Sequence, residues 1–455
     1  MHRIFAATFI LLAAPAAAHD MEKMGGMPAM HDTGAKHDDS AKPGTSTKPD
    51  ASQSMPEMAP MAGMAHMHAM AMSGTLGAYP MTREASGTSW QPDTAEHRGI
   101  HFTDGDWTFM VHARLIGIYD TQSGPRGDDQ FFVSGMVMAA ARREFESGDT
   151  LNFRIMLSPE PFLGRRGYPL LLQTGETGDG VTPLVDRQHP HDLLMELSTS
   201  YSHRLSDDSS AFVYFGYPGE PALGPAAYMH RVSSQDIPSA PITHHWMDST
   251  HISFGVVTAG FVDGDWKLEA SQFTGREPDQ FRFNFDAARF DSTSVRLSWN
   301  PDPHWSLQAS WGFLKGVEQL TPSVNENRYT ASATYFTPLD DAGASLAATL
   351  AFGHKQLSSG SDENGFLAET EYKPADAWTI FARAESVENA EVFPAAGLKT
   401  IGELTFGAIH DWRVAEHAKF GVGGLFTFDF VPSAPLPSYG DTPHGAMVFV
   451  RLIAD

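Results

Sequence analysis

From residue 105 onward, apolar and polar positions alternate in runs of about ten residues, the length at which a tilted strand crosses an outer membrane. Trp107, Phe109, Val111, Ala113 and Leu115 alternate with Thr108, Met110, His112 and Arg114. Leu151, Phe153, Ile155 and Leu157 alternate with Asn152, Arg154 and Met156, and Phe420, Val422, Gly424, Phe426, Phe428 and Phe430 repeat the pattern near the end. Connections rich in Asp, Gly and Pro separate the runs, as turns require. Seven are short, at 144–150, 205–210, 262–265, 300–304, 338–343, 373–377 and 412–417. Eight are long, near 120–130, 158–191, 217–249, 275–291, 315–328, 355–364, 387–399 and 430–443. The count predicts an all-β fold, a transmembrane antiparallel barrel of about sixteen strands over residues 101–455. Closure would satisfy every backbone edge. An even strand number puts both chain ends on the short-turn, periplasmic side. Trp107, Tyr119, Tyr201, Tyr214, Trp266, Trp299, Trp305, Trp311, Tyr335, Tyr372 and Trp378 fall near strand ends, as an interfacial girdle requires.

The pattern is absent before residue 100. Residues 1–18 combine Arg3, an apolar stretch from Ile4 to Ala14 and Ala16-Ala17-Ala18, the form of a secretory signal cleaved before His19. Residues 19–100 have few branched apolar side chains and are expected to be a disordered periplasmic arm.

Composition narrows the function classes. A formal charge of −24 disfavours nucleic acid and suits a cation. With no cysteine, disulfides and thiolate metal sites are excluded. No G-x-S-x-G elbow or convincing triad is visible, so no enzymatic activity is expected.

The arm carries its own candidate chemistry. Met21, Met24, Met27 and Met30 recur every three residues, as do Met55, Met58, Met61, Met64, Met67 and Met70, followed by Met72. His31, His66 and His68 are interleaved. Thioethers are soft donors that select Cu(I), and imidazoles also accept Cu(II). Copper is therefore the expected ion. The alternative is a sticky methionine face for a protein partner.

The long loops hold a second candidate. Residues 159–190 combine the run Leu170-Leu171-Leu172 with Asp186, Arg187 and His189, and are expected to fold inward as a constriction. His191 and Asp192 follow, and the next long loop brings His230, His244, His245 and Asp248, with His251 just beyond. Two readings stand. His189, His191, Asp192, His244 and His245 hold a divalent or copper ion, or they form a hydrogen-bonded network with Asp186 and Arg187 that locks the loop. The segment Thr274–Asp279 is expected to brace the same mouth.

The motifs GYPLLLQTGETGDGVTPLVDRQHPHDLLMELS at 167–198, QFTGREPDQFRFNFD at 272–286 and SVRLSWNPDPHWSLQASWG at 294–312 resemble a group of proteobacterial outer-membrane barrel proteins over roughly residues 100–455. The arm is similar in style to the N-terminus of the outer-membrane copper-resistance protein known as the B component. That resemblance implies copper binding, sequestration or tolerance, with outer-membrane lipid and periplasmic copper proteins as partners. The competing expectation is a porin or substrate channel with an incidental or partner-binding tail.

Overall fold

A computed structural model describes residues 72–96 and 98–455. The strands are β1 (Ile100–Asp104), β2 (Trp107–Gln122), β3 (Asp129–Glu144), β4 (Thr150–Leu157), β5 (Tyr168–Thr177), β6 (Pro183–Gln188), β7 (Leu194–Arg204), β8 (Ser209–Gly216), β9 (Val256–Asp263), β10 (Trp266–Phe273), β11 (Ser292–Asp302), β12 (Trp305–Leu314), β13 (Glu326–Pro338), β14 (Ser345–Leu357), β15 (Asp362–Ala375), β16 (Trp378–Asn389), β17 (Lys399–Ala415), β18 (Ala418–Phe430) and β19 (His444–Ala454). Sixteen of them, β2–β4 and β7–β19, pair antiparallel with their neighbours. The seam closes between β19 and β2, from Gly445 opposite Gln122 to Ala454 opposite Ala113. β1 is a short extra strand on the start of β2.

The seven short turns stand where the alternation breaks. One expected long loop differs. Only residues 358–361 join β14 to β15, because both strands continue into the stretch that sequence assigns to loop. Outward positions such as Val133, Val137, Phe153, Leu268, Leu297, Leu350, Ile380, Phe406 and Val450 form an exposed apolar belt, the surface a bilayer demands. Trp107 aside, the aromatic rim includes Trp266 stacked on Trp299 at 4.8 Å and Trp305 against Tyr335 at 4.9 Å. Tyr214 does not belong to it. Its side chain is buried in the lumen and donates to Glu196 at 3.1 Å.

Three segments fill the lumen. The first is the hairpin β5–β6, with every residue of β5 buried. Leu170 and Tyr168 pack against wall residues such as Ile118, Phe132 and Phe449, so the apolar run drives this loop inward. The second is residues 217–255, which contain a short helix, α1 (His244–Met247). Trp246 of α1 seats on Gly353 and Gly365, paired across β14 and β15, where an added Cβ would lie within 3.0 Å of Trp246 atoms.

The third segment corrects the sequence expectation of an unfolded arm reaching residue 100. Residues 73–96 run along the inner wall at the short-turn end. Leu76 O accepts from Ser202 and Ser210 at 2.8 and 2.7 Å, Thr88 contacts Glu269 and Arg296, and Gln91 O accepts from Asn300 at 2.9 Å. Arg83 is bidentate to Asp93 at 2.6 and 2.7 Å, and Tyr79 packs edge-on to Trp90 at 5.1 Å. The wall supplies the burial that this inner strap cannot supply for itself.

Candidate metal centre

The hairpin and the 217–255 segment converge in the long-loop half of the lumen. His189 and His191 follow β6 directly, and His244 and His245 open α1. With His251 they form one buried cluster. Ring centroids lie 5.6 Å apart for His189–His245, 5.3 Å for His244–His245, and 5.2 Å for both His244–His251 and His191–His251. Gly175 makes the approach possible. Its φ is +110°, and a Cβ there would stand 2.3 Å from His245 Nε2.

Four of the five imidazoles are oriented through Nδ1. His191 meets Glu160 at 2.8 Å, His244 meets Asp248 at 2.7 Å, and His245 meets Glu277 at 3.0 Å. His251 meets the Asp248 carbonyl at 2.8 Å. Carboxylate and carbonyl oxygens accept only, so each Nδ1 carries the proton. The Nε2 atoms of these four, and both ring nitrogens of His189, are buried and make no hydrogen bond within the described protein. Burial holds His189, His244 and His251 below the ordinary histidine range, and neighbouring imidazoles add to it. A neutral imidazole with Nδ1–H held by an acceptor presents an Nε2 lone pair, and metal-ligating histidines are commonly oriented in this way.

The tightest ligand group includes only one of these histidines. Among the described residues, His245, Glu277 and Glu318 have ligand atoms all within 4.8 Å of one another. Burial and the nearby Glu277 hold Glu318 well above the usual carboxyl range, so a cation would relieve that pair.

The sequence-predicted residues separate into three groups. His189, His191, His244 and His245 are brought together. Asp192 is not a member, because it pairs with Arg282 at 3.2 Å. The methionines and histidines from Met21 to Met70 lie outside the described residues, whereas Met72 lines an opening at the short-turn end. The predicted network partners are also corrected. Asp186 accepts from the Leu172 amide at 2.9 Å and Tyr439 at 2.7 Å, while Arg187 reaches Asp128 at 3.0 Å. They lock the hairpin without touching the histidines. The histidine partners are Glu160, Asp248 and Glu277, and Glu176 stands 3.4 Å from His189 Nδ1. Sequence reasoning flags Glu277 only as part of a brace, and nothing local distinguishes Glu160 or Glu318.

No protein-family model and no curated protein matches the sequence. Solved structures match in fold. OmpF of Salmonella typhi, in complex with daunomycin, has a TM-score of 0.51 at 9% identity, covering 78% of this chain and 100% of that one. OmpT of Vibrio cholerae has a TM-score of 0.47 at 10% identity, covering 78% and 99%. An anion-selective porin from Comamonas acidovorans has a TM-score of 0.46 at 12% identity, covering 76% and 99%. The resemblance drawn from the loop motifs extends no further than the fold, which is that of the outer-membrane porin barrels.

Proposed function

We propose that the chain is an outer-membrane channel of porin architecture whose own segments narrow the lumen from both ends. The observation that carries this reading is the closed sixteen-strand wall with an apolar outside and a charged inside, occupied by the inner strap and the β5–β6 hairpin. Planar-bilayer conductance tests it. The intact chain should conduct weakly, and removal of residues 166–190 should raise the conductance. A correctly folded deletion variant that conducts no better than the intact chain would overturn it.

A second reading, copper capture and tolerance, is supported by the four Nδ1-oriented imidazoles and by the thioether series of the arm. In it the arm takes copper on the periplasmic side and the barrel stores or passes it. Equal copper tolerance in cells carrying the chain with and without residues 19–72 would remove the physiological part of this reading.

A further inference from the structure

The nine methionines beyond Met72 are distributed unevenly. None is exposed, although the lipid-facing belt is built from Val, Leu, Ile and Phe and would accept methionine equally well. Five of the nine, Met81, Met110, Met136, Met138 and Met229, line one cavity of about 110 Å³. It lies in the short-turn half of the lumen, between the inner strap, the inner faces of β2–β4 and the turn around Met229. Methionine there replaces the Ser, Thr, Glu and Arg that fill most inward positions of the wall. His101, His112 and His230 line the same space, and His230 Nε2 is buried without a hydrogen-bond partner.

Charged groups of both signs line the cavity, among them Glu84 and Glu96. The guanidinium groups at the edge each face a carboxylate, Arg142 with Glu144 at 2.9 Å, Arg154 with Glu196 at 3.0 Å and Arg98 with Asp236 at 3.3 Å, a carboxylate shared with Arg451 at 2.6 Å and Arg114 at 3.2 Å. The Glu84 carboxyl group faces the cavity and is held by the Thr75 hydroxyl at 2.8 Å and the Tyr79 hydroxyl at 3.1 Å. Neutral thioethers stabilise a soft monovalent ion without adding charge, whereas a hard divalent ion gains little from sulfur.

The cavity also has connections on both sides. A second, larger opening of about 520 Å³ shares His101, Thr108 and Arg142 with it and is lined by Met72, the last methionine of the arm series. On the other side, Met229 follows Tyr228, whose ring stands 5.5 Å from His244. Met136, Met156 and Met195 continue as one buried cluster towards Ile252, next to His251.

We infer that this cavity is a binding site for a soft monovalent cation, Cu(I) or Ag(I), held by the thioethers of Met110, Met136, Met138 and Met229 with His230. It lies between Met72 and the histidine cluster. The inference does not require the lumen to conduct, and it rests on the copper reading only for the identity of the natural ion.

The test uses the full chain in detergent micelles, labelled with carbon-13 at the methionine methyls, with the eleven methionines from Met21 to Met72 changed to leucine. Ag(I), and Cu(I) under reducing conditions, should shift the Met110, Met136, Met138 and Met229 methyl resonances together at one equivalent, and Zn(II) should not. Changing those four residues to leucine should weaken Ag(I) binding by more than about 100-fold, beyond the loss expected from an outer-shell contact. Should that variant fail to fold, Met138→Leu and Met229→Leu, at half-buried positions, are read singly through the remaining methyls. Cavity methyls that excess Ag(I) leaves unmoved, or that Zn(II) moves equally, overturn the inference. The unsubstituted chain separates the two readings, since its arm methyls report copper capture independently of the cavity.

Discussion

The two halves of the lumen share one wall and are filled in opposite ways. In the long-loop half, segments anchored in the wall at both ends are packed until little space remains. Arg231, of the 217–255 segment that carries α1, sits between Asp248 at 3.0 Å and Glu369 at 2.5 Å, all three buried. Trp246 closes over bare glycine backbone, and the donor groups are imidazole and carboxyl. In the short-turn half the filler is the inner strap with the turn around Met229, and among the described residues the strap joins the wall through β1 alone. Its main ion pair lies near the rim, it leaves a cavity, and five methionines join the imidazoles that line this cavity. Anchoring at both ends allows a rigid site for borderline or hard ions. Anchoring at one end leaves a softer site behind a displaceable segment.

The largest expected effect tests the rigidity of the long-loop half. Arg231→Met leaves Asp248 and Glu369 buried without their cation. Loss of one partner from such a group costs about 3–5 kcal/mol. Urea unfolding in micelles should show that loss, and the 217–255 segment should become open to protease. An unchanged midpoint would mean that apolar packing, not charge, fixes this half.

The matching change in the strap should cost less. Arg83→Met removes the bidentate contact to Asp93 and a 3.2 Å contact to Asp265, whose side chain is 59% exposed. Water already reaches Asp265, and Asp93 keeps the bond from Asn300 Nδ2 at 3.0 Å, so the expected loss is about 1–3 kcal/mol, the range for charged hydrogen bonds. Conductance should rise through displacement of the strap. A loss larger than that of Arg231→Met would reverse the comparison.

The outer wall was far more legible in the sequence than either filler. Lipid imposes an apolar outside on every strand, so the two-residue period of β2 and β18 survives without knowledge of their neighbours. The hairpin was legible in part, because Leu170-Leu171-Leu172 has no place on a wet surface. The strap was not. Its order comes from partners such as Asn300 and Glu269, about two hundred residues away, and its own composition resembles unfolded chain. Glu160 and Glu318 are likewise brought close to histidines only by the fold. One usable signal was in view. Met110 and Met156 fall on the polar, lumen-facing side of the alternation, where an apolar side chain needs a reason.

A smaller effect sharpens the chemical side of the comparison. Glu318→Gln removes a charge-bearing ligand atom from the His245–Glu277–Glu318 group. Affinity for Zn(II) or Cu(II) should fall about tenfold, within the range for groups around a metal. Isothermal titration of the arm-substituted chain reads this, while the Ag(I)-induced methyl shifts of Met138 and Met229 should stay in place. If both respond, the two halves form one site rather than two.

The smallest effect concerns the last anchor of the strap. The Thr94 hydroxyl lies 3.1 Å from Pro303 O, 3.0 Å from Phe336 O and 3.3 Å from His304 Nδ1. One hydroxyl proton serves one carbonyl at a time, and the Thr94 amide keeps its own 3.0 Å bond to Pro303 O whatever the side chain. Thr94→Val therefore removes a single neutral hydrogen bond at a wet rim, worth about 0.5–1.5 kcal/mol. Hydrogen exchange should quicken at Thr94 and Ala95 and stay unchanged from Arg83 to Gln91, where the Arg83–Asp93 pair still holds. Faster exchange spread evenly over residues 73–96 would mean that the strap opens as one unit. The Met cavity would then be exposed by the loss of any single anchor, and the short-turn half would be gated rather than merely less tightly packed.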